Sequence, residues 1–139
     1  LLKGLNPKEN RNIPPLNYSR VYDLKNKFPN LNIVINGGIK SIDECKYHLK
    51  YTDGVMLGRY AYDQPYILSN VDNELFELDN KPISRIDAVK EYKKYCINEV
   101  KKGTSTNLVT RHIMGLYHGC KGAKTWRKKL AKIKDVKQL

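Results

Sequence analysis

Two glycine-containing turns could together form a phosphate site. An Asn-Gly-Gly sequence follows the apolar run 31–35, and a Gly-Arg pair follows the apolar run 55–57. Glycines beyond the ends of parallel strands let a ligand approach the backbone and leave N–H groups free to bind an anion. An arginine adds a planar cation that suits phosphate oxygens. Plain turns use the same dipeptides, so both interpretations stay open. The candidate residues are Asn36, Gly37, Gly38, Gly58 and Arg59.

A second candidate site is the basic surface of the last predicted helix. Lys124 and Arg127 are three residues apart, which makes them neighbours on one helix face beside Trp126. Such a face suits a phosphate backbone or a folded RNA. The alternative is a solvated face on an ordinary helix with Trp126 in its core. The basic residues in this stretch are Lys121, Lys124, Arg127, Lys128, Lys129, Lys132 and Lys134.

Three further charged or titratable residues lie outside these two sites. Lys8 and Arg11 occupy the segment 6–17, which carries three prolines and is predicted to be a loop. In a (β/α)₈ barrel such a loop at the carboxyl end of a strand meets the substrate. His112 could exchange protons near neutral pH. Because apolar residues flank it, we expect a packed or hydrogen-bonded histidine.

The positive charge is concentrated in the second half of the chain. The 139 residues carry a net charge of +12, and residues 1–80 are neutral with 10 Lys/Arg and 10 Asp/Glu. The excess therefore lies in residues 81–139, which favours a nucleic-acid or other anionic partner. An AT-rich genome would also raise the lysine count, but it would not leave the first half neutral.

Several classes of protein lack support in the sequence. The chain has no apolar stretch of the roughly 20 residues that a membrane span needs, and no Ser/His/Asp, Walker or HExxH pattern. Cys45, Cys96 and Cys120 show no metal-ligand spacing, so we expect free thiols in a reducing compartment. The chain opens at Leu1 without a methionine, which is typical of a sequence entered midway.

Strand and helix signals alternate in the first 80 residues. We expect helices over 18–28 and from 41 onward, a helical stretch over 61–75 that Pro65 interrupts, and buried strands at 31–35 and 55–57. This order is typical of an α/β fold with parallel strands. Two strands do not make a stable sheet by themselves. The rest of the sheet must therefore come from upstream or from another chain.

The strand signal vanishes after residue 80. Ser84, with Asp87 three residues later as an acidic variant of the capping box, opens a helix that closes at 101–103. Two further helices are predicted over 107–118 and 122–136. The chain is thus predicted to consist of an α/β part, 1–79, and a small all-α domain, 80–139.

Five segments resemble, in order and spacing, motifs of the DusA subfamily of tRNA-dihydrouridine synthases, and the chain is identified as its C-terminal portion. They are LNPKENRNIPPL (5–16), INGGIK (35–40), DGVMLGR (53–59), TRHIMGL (110–116) and GAKTWR (122–127). The resemblance implies the last strand–helix units of a TIM (β/α)₈ barrel followed by a helical domain. It also implies an enzyme that reduces uridine to 5,6-dihydrouridine in the tRNA D-loop, with FMN as cofactor and NADPH or NADH as hydride donor.

The resemblance assigns roles to the candidate residues. Asn36, Gly37, Gly38, Gly58 and Arg59 fall on FMN-binding positions, and Lys8, Arg11, Lys124 and Arg127 on tRNA-contacting positions. Lys124 replaces an arginine, which keeps the charge and loses bidentate hydrogen bonding. Asn6 and Asn12 replace a serine and a glutamate.

No catalytic residue is expected in this chain. The family's catalytic cysteine, and the lysine and histidine that hold the flavin ring, fall upstream of Leu1, so the upstream half of the barrel is required. A cytoplasmic location is expected, and an organelle stays open. The main alternative is a non-catalytic RNA-binding module. A different barrel enzyme with a phosphate-bearing ligand is a third possibility, against which the KENR and GAKTWR segments argue.

Overall fold

The computed structural model describes residues 16–139 of the chain, which form seven α-helices, two short strands and three 3₁₀ turns. The helices are α1 (Tyr18–Lys27), α2 (Ile42–Leu49), α3 (Gly58–Asp63), α4 (Val71–Leu75), α5 (Arg85–Lys101), α6 (Thr106–Thr110) and α7 (Ala123–Lys132). The strands are β1 (Val34–Asn36) and β2 (Gly54–Met56). The 3₁₀ turns are Pro65–Asn70, Arg111–Ile113 and Val136–Gln138.

The two strands are parallel and are joined by α2, as the alternation of signals predicted. The register pairs Val34 with Gly54 and Asn36 with Met56. Both strands differ from their predicted bounds, because β1 starts three residues later and β2 starts one residue earlier. The N–H of Leu31 donates to the carbonyl of Phe28 (3.1 Å), so the turn after α1 takes the first residues of the predicted strand.

Both strands are less completely buried than predicted. Ile35 is fully buried, whereas the side chains of Val34 and Met56 are 61% and 51% exposed. Ile35 packs with Ile39 and Cys45 in a small core that α1 and α4 also contact. One face of the sheet therefore lacks a covering layer among the described residues.

Helices α5 to α7 pack around their own apolar core. Its buried residues include Leu130 and Ile133 from the predicted apolar stripe of the last helix, together with Ile113 and Leu116. The indole Nε1 of Trp126 donates a hydrogen bond to the carbonyl of Ile113 (2.9 Å). None of the helices found in residues 16–139 combines the length and the apolar character needed to cross a membrane.

Two of the predicted helices end early. The helix predicted over 107–118 is α6, which ends at Thr110 and continues as a 3₁₀ turn. Gly115 lies against the backbone of Asp63, and a Cβ there would stand 2.0 Å from that carbonyl oxygen. The helix predicted over 122–136 ends at Lys132, because Ile133 is extended.

The predicted helix starts agree with the structure in detail. Ser41 and Glu44 form a complete capping box at α2. Ser84 accepts a hydrogen bond from the N–H of Asp87 (3.1 Å), so it caps α5. The Asp87 carboxylate accepts from the Ser84 hydroxyl (2.7 Å) rather than from its backbone. Only half of the predicted acidic capping box therefore forms.

Contacts join the α/β part to the helical part. The Tyr66 hydroxyl donates to the carbonyl of Ile83 (3.0 Å), and the Arg85 guanidinium lies 3.6 Å from the centre of the Tyr66 ring. Arg85 also donates to the carbonyl of Leu116 (2.9 Å). These contacts fix the segment after α3 against α5, and the division of the chain at residue 79 remains a prediction.

Candidate phosphate site and basic cleft

The structure brings the two glycine turns together at one end of the sheet. Because Asn36 pairs with Met56 in the parallel register, both turns leave the strands at the same edge. A Cβ placed on Gly58 would lie 3.8 Å from Oδ1 of Asn36. Asn36 and Gly58 are therefore neighbours, and the two turns lie at the same edge of the sheet.

The backbone of this surface requires glycine. Gly37, Gly38 and Gly58 have φ values of 129°, 66° and 37°, in the region that side chains disfavour. A Cβ on Gly38 would also lie 3.0 Å from Leu16 and 3.3 Å from the Tyr18 hydroxyl. These two turns hold a conformation that another residue would adopt only under strain.

The peptide between Gly37 and Gly38 presents a donor. The Tyr18 hydroxyl donates to the carbonyl of Gly37 (2.7 Å). In a trans peptide the N–H points opposite to the carbonyl, so the N–H of Gly38 points away from Tyr18. That N–H finds no acceptor among the loop and side-chain hydrogen bonds of residues 16–139. As far as residues 16–139 are concerned, it is available to an anion.

Gly58 and Arg59 differ from their predicted setting. They form the first turn of α3 rather than a loop after the strand. The first N–H groups of a helix have no partner within that helix, and Leu57 provides no side-chain cap here. Arg59 is exposed and makes no ion pair with another residue of the described range. Backbone donors and a guanidinium with no ion pair among residues 16–139 suit a phosphate monoester.

The basic helix presents its charges to solvent. Lys124 and Arg127 are exposed on α7, while Leu130 of the same helix is fully buried. Both interpretations of this helix are thus compatible with its packing, since a core face and a charged face coexist. Lys8 and Arg11 lie outside the described residues, so their position opposite this helix stays a prediction.

Arg127 also lines an open cleft of about 490 Å³ between α3 and the helical part. Lys124 is not among its lining residues. We call this space the junction cleft, and it is lined by Tyr60, Tyr62, Asp63, Gln64, Arg111, Met114, Gly115, His118 and Arg127. Sequence reasoning did not propose Arg111 or His118 as site residues. The only signal was the position of Arg111 within the TRHIMGL segment.

His112 lies beside this cleft and is exposed, so the expectation of a packed histidine is wrong. Its ring meets the Tyr62 ring edge-on, with 5.8 Å between the centres. The early end of α6 explains the difference. In a continuous helix, His112 would have shared one face with its apolar neighbours.

The buried cysteines are poor candidates for catalysis. Burial raises the pKa of the Cys45 and Cys96 thiols, which keeps both in the neutral form. Within residues 16–139 no three His, Cys, Asp or Glu side chains are grouped to hold a metal ion. The described part of the chain therefore offers anion-binding groups rather than a reactive thiol or a metal site.

Comparison with known proteins gives a consistent result. The sequence model described as "Dihydrouridine synthase (Dus)" matches residues 4–139. Proteins called tRNA-dihydrouridine(20/20a) synthase from Haemophilus ducreyi and Pseudomonas putida are each 50% identical to this chain over 94% of its length. The one from Escherichia coli K12 is 48% identical over the same share. The chain spans 40%, 39% and 38% of these three relatives. It belongs to the dihydrouridine synthase family.

Proposed function

We propose that this chain is the C-terminal part of a tRNA-dihydrouridine synthase that reduces uridine to 5,6-dihydrouridine in the D-loop of tRNA. The observation that carries the proposal is the convergence of the two glycine turns and Arg59 at one edge of a parallel sheet. Membership of the family and the names of the relatives support the reaction.

FMN is the cofactor that this surface fits. The N–H groups of the glycine turns and the Arg59 guanidinium would hold its phosphate, and Asn36 would add a polar side chain at the same edge. Bound FMN would supply the reducing equivalents, taken from NADPH or NADH. The residues of this chain bind and orient the cofactor, while the residues that meet the flavin ring and the catalytic cysteine belong to the upstream half.

The uncovered sheet supports an upstream half. Val34 and Met56 expose apolar side chains on a sheet of two strands, which is too small to be stable alone. The remaining strands of a (β/α)₈ barrel would cover this face and extend the sheet. Residues 1–79 are then the end of the barrel, and residues 80–139 form a helical tRNA-binding domain.

Transfer RNA is the partner that the charge distribution favours. The basic face of α7, with Lys124 and Arg127, would contact its backbone, and Lys8 and Arg11 would approach from the barrel side. The enzyme would act in the cytoplasm. A non-catalytic RNA-binding module is less well supported, since the relatives that match most of this chain are named as synthases.

The test is formation of dihydrouridine by the full-length protein. Purified protein is incubated with NADPH and an unmodified tRNA transcript, and dihydrouridine is measured by mass spectrometry. We expect a yellow protein that releases FMN on denaturation and product that depends on NADPH. A colourless protein that binds tRNA without forming dihydrouridine would support the RNA-binding module and overturn the enzyme.

A further inference from the structure

The junction cleft holds cations that the proposed flavin site does not use. Arg111 and Arg127 come from different elements and line the same open space. Neither arginine makes an ion pair with a carboxylate of residues 16–139. Asp63 is the one carboxylate in the lining, and His118 adds a further titratable group. The cleft therefore carries an excess of positive charge.

Two arginines that line one space favour a phosphate ligand. Like charges that line the same space repel each other, and an anion between them relieves that repulsion. Guanidinium groups bind phosphate oxygens through paired hydrogen bonds. The volume of about 490 Å³ falls within the roughly 300–1,000 Å³ of small-ligand sites, so the cleft has room for a nucleotide unit.

Tyr62 points to an unpaired nucleotide. Its side chain is 52% exposed at the cleft, and His112 supports its ring from the edge at 5.8 Å. Bases of single-stranded loops stack on exposed aromatic rings, whereas bases within a duplex do not reach them. Phosphate-binding cations beside such a ring are therefore typical of a loop-recognition site.

We propose that Arg111 and Arg127 bind a backbone phosphate of a looped-out tRNA nucleotide, whose base stacks on Tyr62. This rests on the proposed function and adds two binding residues to it, Arg111 and Tyr62. Helix α3 carries Gly58 and Arg59 at its start and Tyr62 near its end. At 1.5 Å per residue its six residues span about 9 Å. One short element would thus connect the RNA nucleotide to the flavin phosphate site.

The first test replaces Arg111 in the full-length flavoprotein. Arg111→Ala should raise the Kd and KM for an unmodified tRNA transcript roughly tenfold to hundredfold, as removal of a charge-assisted pair implies. The slope of log Kd against log salt should fall by about 0.7–0.9. Flavin content and the KM for NADPH should not change. Arg20→Ala is the matched control, because Arg20 is an exposed arginine on α1 away from the cleft.

The second test should produce a gain of affinity, which damage to the fold cannot imitate. Asp63→Asn removes the carboxylate from the cleft lining and should tighten tRNA binding by roughly fivefold at low salt. Tyr62→Ala should weaken binding, while Tyr62→Phe keeps the stacking surface and should retain it.

The outcomes separate this proposal from the proposed function. If Arg111→Ala binds tRNA like the wild type while dihydrouridine still forms, only the assignment of the cleft is wrong. A wild-type protein that neither binds tRNA nor forms dihydrouridine overturns both. An increased KM for NADPH with unchanged tRNA affinity would assign the cleft to the dinucleotide and overturn the RNA site.

Discussion

At the scale of single residues, backbone N–H groups form much of the proposed flavin phosphate surface. Tyr18 fixes the carbonyl of Gly37, and the planar trans peptide then directs the N–H of Gly38 the other way. The Tyr18 hydrogen bond thus holds this donor in place before a ligand binds. Arg59 adds the charge that a neutral donor lacks. We therefore expect the backbone N–H groups to determine where the phosphate binds and Arg59 to determine how tightly it binds.

The role of Arg59 gives the first prediction. In the full-length protein, Arg59→Ala should weaken FMN binding, because a hydrogen bond to a charged group contributes about 1.5–3 kcal/mol. A tenfold to hundredfold increase in the Kd for FMN follows, measured by fluorescence titration of the apoprotein. The Kd of Arg59→Lys for FMN should lie between those of the wild type and Arg59→Ala, and Arg20→Ala should bind FMN like the wild type. Full flavin retention by Arg59→Ala after desalting would contradict the phosphate assignment.

Gly38 gives a prediction with a matched control at Gly103. Both have positive φ values, 66° and 97°, so alanine at either position should cost about 1–2 kcal/mol of stability. A Cβ on Gly38 would also meet Leu16 at 3.0 Å, whereas nothing lies within 4 Å of a Cβ on Gly103. We expect Gly38→Ala to lower both Tm and flavin content, and Gly103→Ala to lower Tm alone. Equal flavin loss in the two variants would mean that stability, and not the turn, controls binding.

At the scale of elements, local signals allowed the helix starts to be predicted and long-range contacts decided several of the ends. Ser41 and Ser84 cap their helices through bonds within three residues, which the sequence alone contains. The segment after α6 brings Gly115 against Asp63, a contact between residues far apart in the chain. The bounds of β1 depend similarly on its partner strand and on the turn before it. Such contacts leave no pattern within a short window.

The cap of α5 gives a prediction at this scale. Ser84 accepts a hydrogen bond from the N–H of Asp87, and its removal should cost about 1 kcal/mol. Ser105 occupies the same position at α6 without a side-chain bond, so it is the matched control. In chemical denaturation of the full-length protein, Ser84→Ala should lower the free energy of unfolding and Ser105→Ala should leave it almost unchanged. The same decrease in both variants would show that the cap bond contributes nothing.

At the scale of the whole molecule, the division of charge was predictable but the junction cleft was not. Counting charges along the chain shows a neutral first part and a basic second part. The cleft combines side chains of three distant segments, 60–64, 111–118 and 127. Its position follows from contacts such as Tyr66 with Arg85, which join the α/β part to the helices. Only the folded chain places Arg111 and Arg127 in the lining of one cleft.

The last prediction concerns how this charge acts on tRNA. Replacing Lys124 and Arg127 together by alanine in the full-length protein should weaken tRNA binding and flatten its salt dependence. For every phosphate that the protein no longer neutralises, the slope falls by about 0.7–0.9. Of the two single variants, Arg127→Ala should weaken tRNA binding more than Lys124→Ala, because Arg127 lines the junction cleft and Lys124 does not. Flavin content should stay constant, since neither residue belongs to the glycine turns.

The control for this experiment removes the same charge from the neutral part of the chain. Arg20 and Lys50 are exposed and lie outside both proposed sites, so the double variant Arg20→Ala, Lys50→Ala loses two positive charges elsewhere. Affinities for a tRNA transcript are measured at several salt concentrations for the three proteins. If the two double variants show the same salt slope, net charge alone attracts the tRNA and α7 is an ordinary solvated helix. A slope reduced only in the Lys124, Arg127 variant localises the contact to α7, because long-range attraction depends on total charge and direct phosphate contact depends on position.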